Sequence, residues 1–381
     1  DLENNYNALQ HAYGFDDVSI APGEITINPE MVDISVYFEK IKLDIPFFAS
    51  SMDAVVDTSF AINMHEQGGI GVLNLDGLHT RFEDTESIYK EISNSPIEKA
   101  TSILQKIYTE PIKTNLISKR VEEIKKNNGT AAVSFIPQNA KRHAPIAVEA
   151  GADIIVVQGT VVTARHTSKS LRGLILSELV NNLDVPIIVG NTVSYSVTKE
   201  LMEQGIHGVL VGVGPGSVCT SREVLGIGVP QITATLECTA GRDAYFKETG
   251  RYVPIITDGG IRTGGDVCKS FAAGADSVMI GSPFAKCFEA PALGYHWGMA
   301  TWHPELPRGT RIKLGSEYSL DQLLNGPSSK TDGTMNLIGA LKVCMGYVGA
   351  NNIKEMHNAK MYYAPAIKTE GKIYQIAGLG S

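Results

Sequence analysis

Residues 208–222 read Gly208-Val-Leu-Val-Gly-Val-Gly-Pro-Gly-Ser-Val-Cys-Thr-Ser-Arg222. An apolar run passes, without a polar break, into a turn built from Gly212, Gly214, Pro215 and Gly216. A continuous run of this kind fits a strand buried on both faces, as in a parallel sheet; a strand with one wet face would alternate. The turn then presents one cysteine, Cys219, among small hydroxyl residues.

The same pattern recurs on either side. Strands are predicted at 45–49, 70–73, 131–135, 153–157, 186–189, 208–211, 254–257 and 277–280. Helical patterns separate them. Ser196 is read as the cap of a helix through Gln204 that Gly205 closes, and Asp266 as the start of a helix ending at Gly274. Eight strand–helix units in succession predict an α/β chain folded as a closed (β/α)₈ (TIM) barrel. A doubly wound open sheet is the competing arrangement. Two stretches are too long for minimal barrel loops. One is an insertion at about 75–130, with helical patterns at 83–93 and 117–126. The other follows the last strand, at about 283–320, and long excursions of this sort often serve as lids. The whole of 1–381 is read as one barrel domain carrying these two additions.

Composition excludes several classes. The chain has 381 residues, 43% apolar and 19% charged, which is typical of a globular protein. A net charge of −8 argues against nucleic acid or an anionic membrane as partner. The five cysteines form no CxxC pair and no zinc spacing, so a reducing, cytoplasmic setting is expected. The first residues are polar and lack a signal-peptide core, and no apolar run approaches the ~20 residues of a membrane span.

Two sites carry chemistry. The seventh predicted strand ends in Thr257-Asp258-Gly259-Gly260-Ile261 and the eighth in Met279-Ile280-Gly281-Ser282. Loops after strands seven and eight of a barrel commonly hold phosphate, because glycines let backbone N–H groups approach its oxygens. Asp258 cannot favour a phosphate but can accept hydrogen bonds from ribose hydroxyls. The second site is Cys219. A thiolate is the nucleophilic form of cysteine, and a turn offering several N–H groups can stabilise that anion. Cys238, Cys268, Cys287 and Cys344 sit in apolar or helical contexts and are read as structural.

Further motifs complete the pattern: Ala49-Ser50-Ser51-Met52-Asp53, Gly68-Gly69-Ile70-Gly71-Val72, Gly190-Asn191-Thr192-Val193, Asp258-Gly259-Gly260-Ile261-Arg262 and Trp297-Gly298-Met299-Ala300. Together with the cysteine loop, they give a chain that resembles the IMP dehydrogenase/GMP reductase family over nearly its whole length. It is most similar to a short branch, the IMP dehydrogenase-related proteins, that lacks the regulatory CBS domain pair; the insertion at 75–130 is too short to hold one.

The resemblance implies specific roles. Cys219 would attack carbon 2 of the purine of IMP, hydride would pass to NAD, and water would release XMP from the thioimidate. Ser221 would help to activate the water. Ser50, Met52 and Ser217 would line the nucleotide, Asp258 its ribose, and Gly260, Gly281 and Ser282 its phosphate. Gly298 and Met299 would reach the base, and Asn191 would stand beside the reacting centre. Gln158 and Gly212 would face the NAD, or alternatively NADP; family dehydrogenases carry an acidic residue where Gln158 stands. Carbonyls of Gly214, Gly216 and Cys219 would hold a monovalent cation, K⁺ by family habit. Glu370 would complete that site from a neighbouring subunit, which implies a homotetramer or larger. The family's long flap with its Arg-Tyr dyad is missing. Arg308, Arg311 and His303 are the candidates left for the water-activating base, and Tyr295 and His296 compete for one family position. GMP reductase with NADPH, a nucleotide-binding protein without turnover, and an FMN-dependent barrel are the alternatives to the dehydrogenase.

Overall fold

The computed structural model describes residues 9–167, 174–299 and 310–365. Its eight central strands are β1 (Phe47–Ala49), β2 (Ile70–Asn74), β3 (Ala132–Phe135), β4 (Ile154–Gln158), β5 (Ile187–Thr192), β6 (Gly208–Val211), β7 (Ile255–Asp258) and β8 (Ser277–Ile280). All run parallel in chain order. The last pairs with the first through Val278↔Phe47, Met279↔Phe48 and Ile280↔Ala49, so the sheet closes and the open-sheet alternative falls away.

Closure explains the unbroken apolar runs. Alternate residues such as Phe48, Val72, Val156 and Leu210 fill the barrel interior. The residues between them, such as Val133, Ile155, Val189 and Val209, pack against the surrounding helices. Both faces are dry, so both register positions are apolar. A two-stranded ribbon, Val36–Phe38 with Ile41–Leu43, stoppers the N-terminal end. There Phe38 and Leu43 join the interior cluster, and Phe38 meets Phe48 edge-on at 6.3 Å between ring centroids. Only the C-terminal end of the barrel is left for a site.

Two predicted helix starts are displaced. Ser194, not Ser196, caps the helix Tyr195–Glu203; its backbone is extended and its hydroxyl accepts from the Val197 N–H. Thr263, not Asp266, caps Gly264–Ala272 by accepting from the Asp266 N–H. Asp266 instead turns back and accepts from the Arg262 N–H at 2.9 Å.

The insertion holds helices Thr85–Asn94 and Ala100–Thr109 before Thr114–Lys126 leads back to β3. The segment after β8 is rooted on an antiparallel ribbon, Tyr295–Trp297 with Arg311–Lys313. Insertion and ribbon share a small apolar core of Tyr89, Ile92, Leu104, Ile107 and Trp297. Farther on, helix Leu337–Val348 packs on Gly264–Ala272, and strand Met361–Tyr363 pairs with Val18–Ile20. Among the described residues, no helix is long and apolar enough to cross a membrane.

Candidate active site

The site grows from the C-terminal ends of the strands. Three polar side chains from β4, β5 and β7 converge there, although the outer two are far apart in sequence. Gln158 donates from Nε2 to Asn191 Oδ1 at 2.9 Å and to Asp258 Oδ2 at 3.0 Å. Asn191 donates from Nδ2 to the same Asp258 oxygen at 2.9 Å and to the Gly212 carbonyl at 2.8 Å. Ser51, just after β1, donates to Gln158 Oε1 at 2.6 Å and so fixes the orientation of that amide. The Asp258 carboxyl is pushed up to about 6 by burial, against the pull of the two amide hydrogen bonds. Its side chain keeps a partial opening at the barrel mouth, as does Gln158.

The loop after β8 meets the cysteine loop, and the loop after β7 lies beneath that same loop. Ser217 and Ser282 share a hydroxyl–hydroxyl hydrogen bond of 2.6 Å. Ser50, Met52 and His296 surround Gly281: a Cβ placed there would lie 3.4 Å from Ser50 Oγ, 3.5 Å from Met52 Sδ and 3.8 Å from His296 Nε2. Gly259 and Gly260 both take positive φ, +99° and +79°, and lie under Pro215 of the cysteine loop. Side chains at these positions would strain the backbone and press on that proline.

The cysteine loop leaves β6 through Gly212, where φ is +148° and a Cβ would stand 2.1 Å from the Asp258 carbonyl oxygen. Gln231 clamps the same junction, its Nε2 donating to the carbonyls of Val211, Asp258 and Gly259 at 3.1, 2.7 and 3.2 Å. Cys219 is partly exposed, and its N–H returns to the Gly216 carbonyl at 3.1 Å. Ser221, at the start of the short helix Ser221–Leu225, is buried. By contrast, Cys238 is buried and its thiol is pushed up to about 12 by desolvation, in keeping with a structural part.

Between Tyr295 and His296 the structure makes a clear distinction. His296 is buried against Gly281, and burial lowers its imidazole to about 4, so it is neutral near pH 7. Tyr295 instead lies under the Arg311 guanidinium, 4.7 Å from ring centroid to Cζ. Arg311 is pinned: it donates to the carbonyls of Ile92 and Ser95 at 2.6 and 2.9 Å and to Ser95 Oγ at 2.7 Å. That guanidinium ties the ribbon to the insertion. His303, Arg308 and Glu370 lie outside the described residues.

Met299 packs against the insertion's apolar core, its sulfur 3.5 Å from Tyr108 Oη, and Gly298 precedes it in the chain. Tyr108, from the insertion, donates to Asp53 Oδ2 at 2.6 Å and accepts from Trp297 Nε1 at 2.9 Å. Asp53 is fully buried and its carboxyl is raised to about 6 by desolvation; its Oδ1 has no partner among the described residues. Sequence reasoning missed Ser51, Tyr108 and the Gln231 clamp. Ser51 stood inside a quoted motif, whereas nothing local marks Tyr108.

Comparisons with known proteins fit this geometry. A family model for the IMP dehydrogenase / GMP reductase domain matches residues 12–298. A Mycolicibacterium smegmatis protein described as an uncharacterized oxidoreductase is 37% identical over 355 residues, covering 91% of this chain and 95% of the relative. The inosine-5'-monophosphate dehydrogenase of Cryptosporidium parvum is 32% identical over 379 residues, covering 91% and 90%. The crystal structure of an IMP dehydrogenase/GMP reductase-like protein from Corynebacterium glutamicum superposes with a TM-score of 0.88 at 35% identity, covering 93% of this chain and 95% of that one.

Proposed function

The chain belongs to the IMP dehydrogenase/GMP reductase family, and from that premise we propose that it oxidises IMP to XMP with NAD through a thioimidate on Cys219. One observation carries the reading. The partly exposed Cys219 hangs from a loop whose neighbours at the barrel mouth are a partly buried amide–carboxylate network and the hydrogen-bonded hydroxyls of Ser217 and Ser282.

In this reading Ser217, Ser282, Gly260 and Gly281 hold the phosphate, with Ser50 and Met52 beside it. Asp258 accepts from the ribose hydroxyls, and Gly298 and Met299 meet the base. The Cys219 thiolate adds to carbon 2, and that carbon's hydrogen leaves as hydride to NAD. Water then adds to the thioimidate, the carbon–sulfur bond breaks, and XMP and the free thiol are released. The balance is IMP, NAD⁺ and water to XMP, NADH and one proton. Ser221 and Asn191 flank the cysteine loop and position the water and the adduct. Gln158 holds Asp258 and Asn191 in register through its Nε2, while Ser51 holds its Oε1, and Gly212 faces the nicotinamide side of the loop. A potassium ion would take oxygen ligands; the carbonyls of Gly214, Gly216 and Cys219, with Glu370 of a neighbouring copy in a homotetramer, are the donors this chain offers. The Gly216 carbonyl already accepts from the Cys219 N–H, so an ion would share it.

A second reading, GMP reduction to IMP and ammonia with NADPH, is favoured by the shortened flap after β8, because a reductase must suppress hydrolysis. Both reactions pass through the same covalent adduct, so the substrate pair discriminates. The test is reduced-nicotinamide absorbance with IMP and NAD in potassium buffer. A rise that vanishes in Cys219→Ala, with IMP still bound by that variant, is expected. Turnover of GMP with NADPH alone would replace the dehydrogenase with the reductase. Tight nucleotide binding without turnover of either pair would refute both.

A further inference from the structure

Away from the barrel mouth, helices Gly264–Ala272 and Leu337–Val348 touch through their smallest residues. A Cβ added to Gly264 would lie 2.5 Å from the Cβ of Ala340. Contact through Gly and Ala lets backbones approach closer than the usual ~8–10 Å between helix axes. One turn further along each helix, in the same direction, stand Cys268 and Cys344. Residues four apart share a helix face, so the second turn of the contact brings the two thiols together. The Cys268 thiol donates to the Ala340 carbonyl oxygen at 3.6 Å, and Cys344 lies near enough for each thiol to shift the other's titration. Both thiols are free; Cys268 is buried and Cys344 half-buried. Both line a surface groove of about 530 Å³ together with Ile20, Lys269, Val343 and Tyr347.

We propose that Cys268 and Cys344 are a redox dithiol: a modification site that reacts with low-molecular-weight disulfides and closes to a disulfide joining the two helices. The two thiols are not equivalent. The neighbouring Cys268 lowers the Cys344 thiol from the ordinary value, while Cys268 is raised by Cys344 and by burial. The accessible Cys344 therefore attacks first. Its thiolate displaces one thiolate from a small disulfide RSSR and leaves Cys344–S–SR. Cys268 then gives up its proton, and its thiolate attacks the Cys344 sulfur and expels the second RS⁻. Two protein thiols are oxidised, one small disulfide is reduced to two thiols, and the protons end on those thiols. The pair needs neither Cys219 nor a bound nucleotide.

The test uses the full chain carrying Cys219→Ala, so that the loop thiol is silent. The folded protein is incubated with oxidised glutathione, quenched by alkylation, and mapped by mass spectrometry. Of the five cysteines, four remain in this variant, and free thiols should fall to two with no glutathione retained and a Cys268–Cys344 cross-linked peptide. Dithiothreitol should restore all four thiols. Adding Cys344→Ser should abolish both the cross-link and any modification of Cys268. Adding Cys268→Ser should stop the reaction at a glutathione adduct on Cys344; should that variant fail to fold, the half-exposed Cys344→Ser decides. Glutathione retained on Cys344 with Cys268 present, or no loss of thiols at all, would overturn the proposal.

Discussion

Replacing Asp258 with asparagine should stabilise the protein and weaken its hold on a nucleotide. The carboxyl is raised from 3.8 to about 6, with burial as the main cause. At ~1.4 kcal/mol per pH unit, a shift of about two units is an unfavourable ~3 kcal/mol once the group is ionised. Its partial opening to solvent reduces this to about 1–2 kcal/mol. A raised pKa means the favourable contribution is complete below the ordinary value of 3.8 and is lost as pH rises through about 6. Asp258→Asn keeps a carbonyl oxygen for the Gln158 and Asn191 amides but carries no charge. Its stability should match the wild type near about pH 4, then exceed it by about 1–2 kcal/mol at neutral pH. Binding should move the other way. Hydrogen bonds from ribose hydroxyls to a charged acceptor are worth about 1.5–3 kcal/mol, so IMP should bind about 10–100-fold more weakly. Urea unfolding across this pH range and calorimetric titration with IMP read the two effects separately. A variant less stable at every pH, or one that binds IMP undiminished, would refute the reasoning.

Other substitutions probe the remaining parts of the site. Ser282→Glu places a carboxylate beside Ser217 and should raise the apparent KM for the nucleotide about tenfold or more through charge repulsion, with little change in unfolding midpoint; an unchanged KM would remove this loop from the phosphate. Gly212→Ala drives a methyl group into the Asp258 carbonyl at a backbone angle that side chains avoid, and should lose about 1–3 kcal/mol of stability along with turnover; denaturant melts and the nicotinamide assay check it. Tyr108→Phe strips a donor from the buried Asp53 carboxylate and an acceptor from Trp297, and should lower unfolding free energy by about 2–4 kcal/mol. It should also raise the KM for the nucleotide, because Met299 loses a neighbour.

The barrel was legible because burial on both faces writes an unbroken apolar run for each strand, and eight such runs leave little choice of architecture. Helix starts were less so. Thr192, Ser194 and Ser196 all carry a hydroxyl near one start, and only the extended backbone at Ser194 selects among them. At the other start, Thr263 is the cap and Asp266 turns back to the Arg262 N–H, and an acidic residue within the first turn is easily mistaken for the cap itself. The glycine loops and the Cys219 turn stand out in the sequence because their residue pattern is local. The network around Asp258 was not, since Gln158 and Asp258 stand 100 positions apart and meet only when β4 and β7 face each other across the barrel. Arg311 shows the opposite error. A charged side chain in an excursion reads as free for chemistry, yet three acceptors in the insertion hold it.

Those ties have a practical consequence for anyone recombining this chain with its relatives. The excursion after β8 is fastened to the insertion at both roots, by Trp297 to Tyr108 and by Arg311 to Ile92 and Ser95. The two excursions are remote in sequence but form a single exchangeable part. A chimera that imports a foreign flap while keeping the native 75–130 segment would sever the anchors of both roots, so the crossover points have to be chosen in pairs.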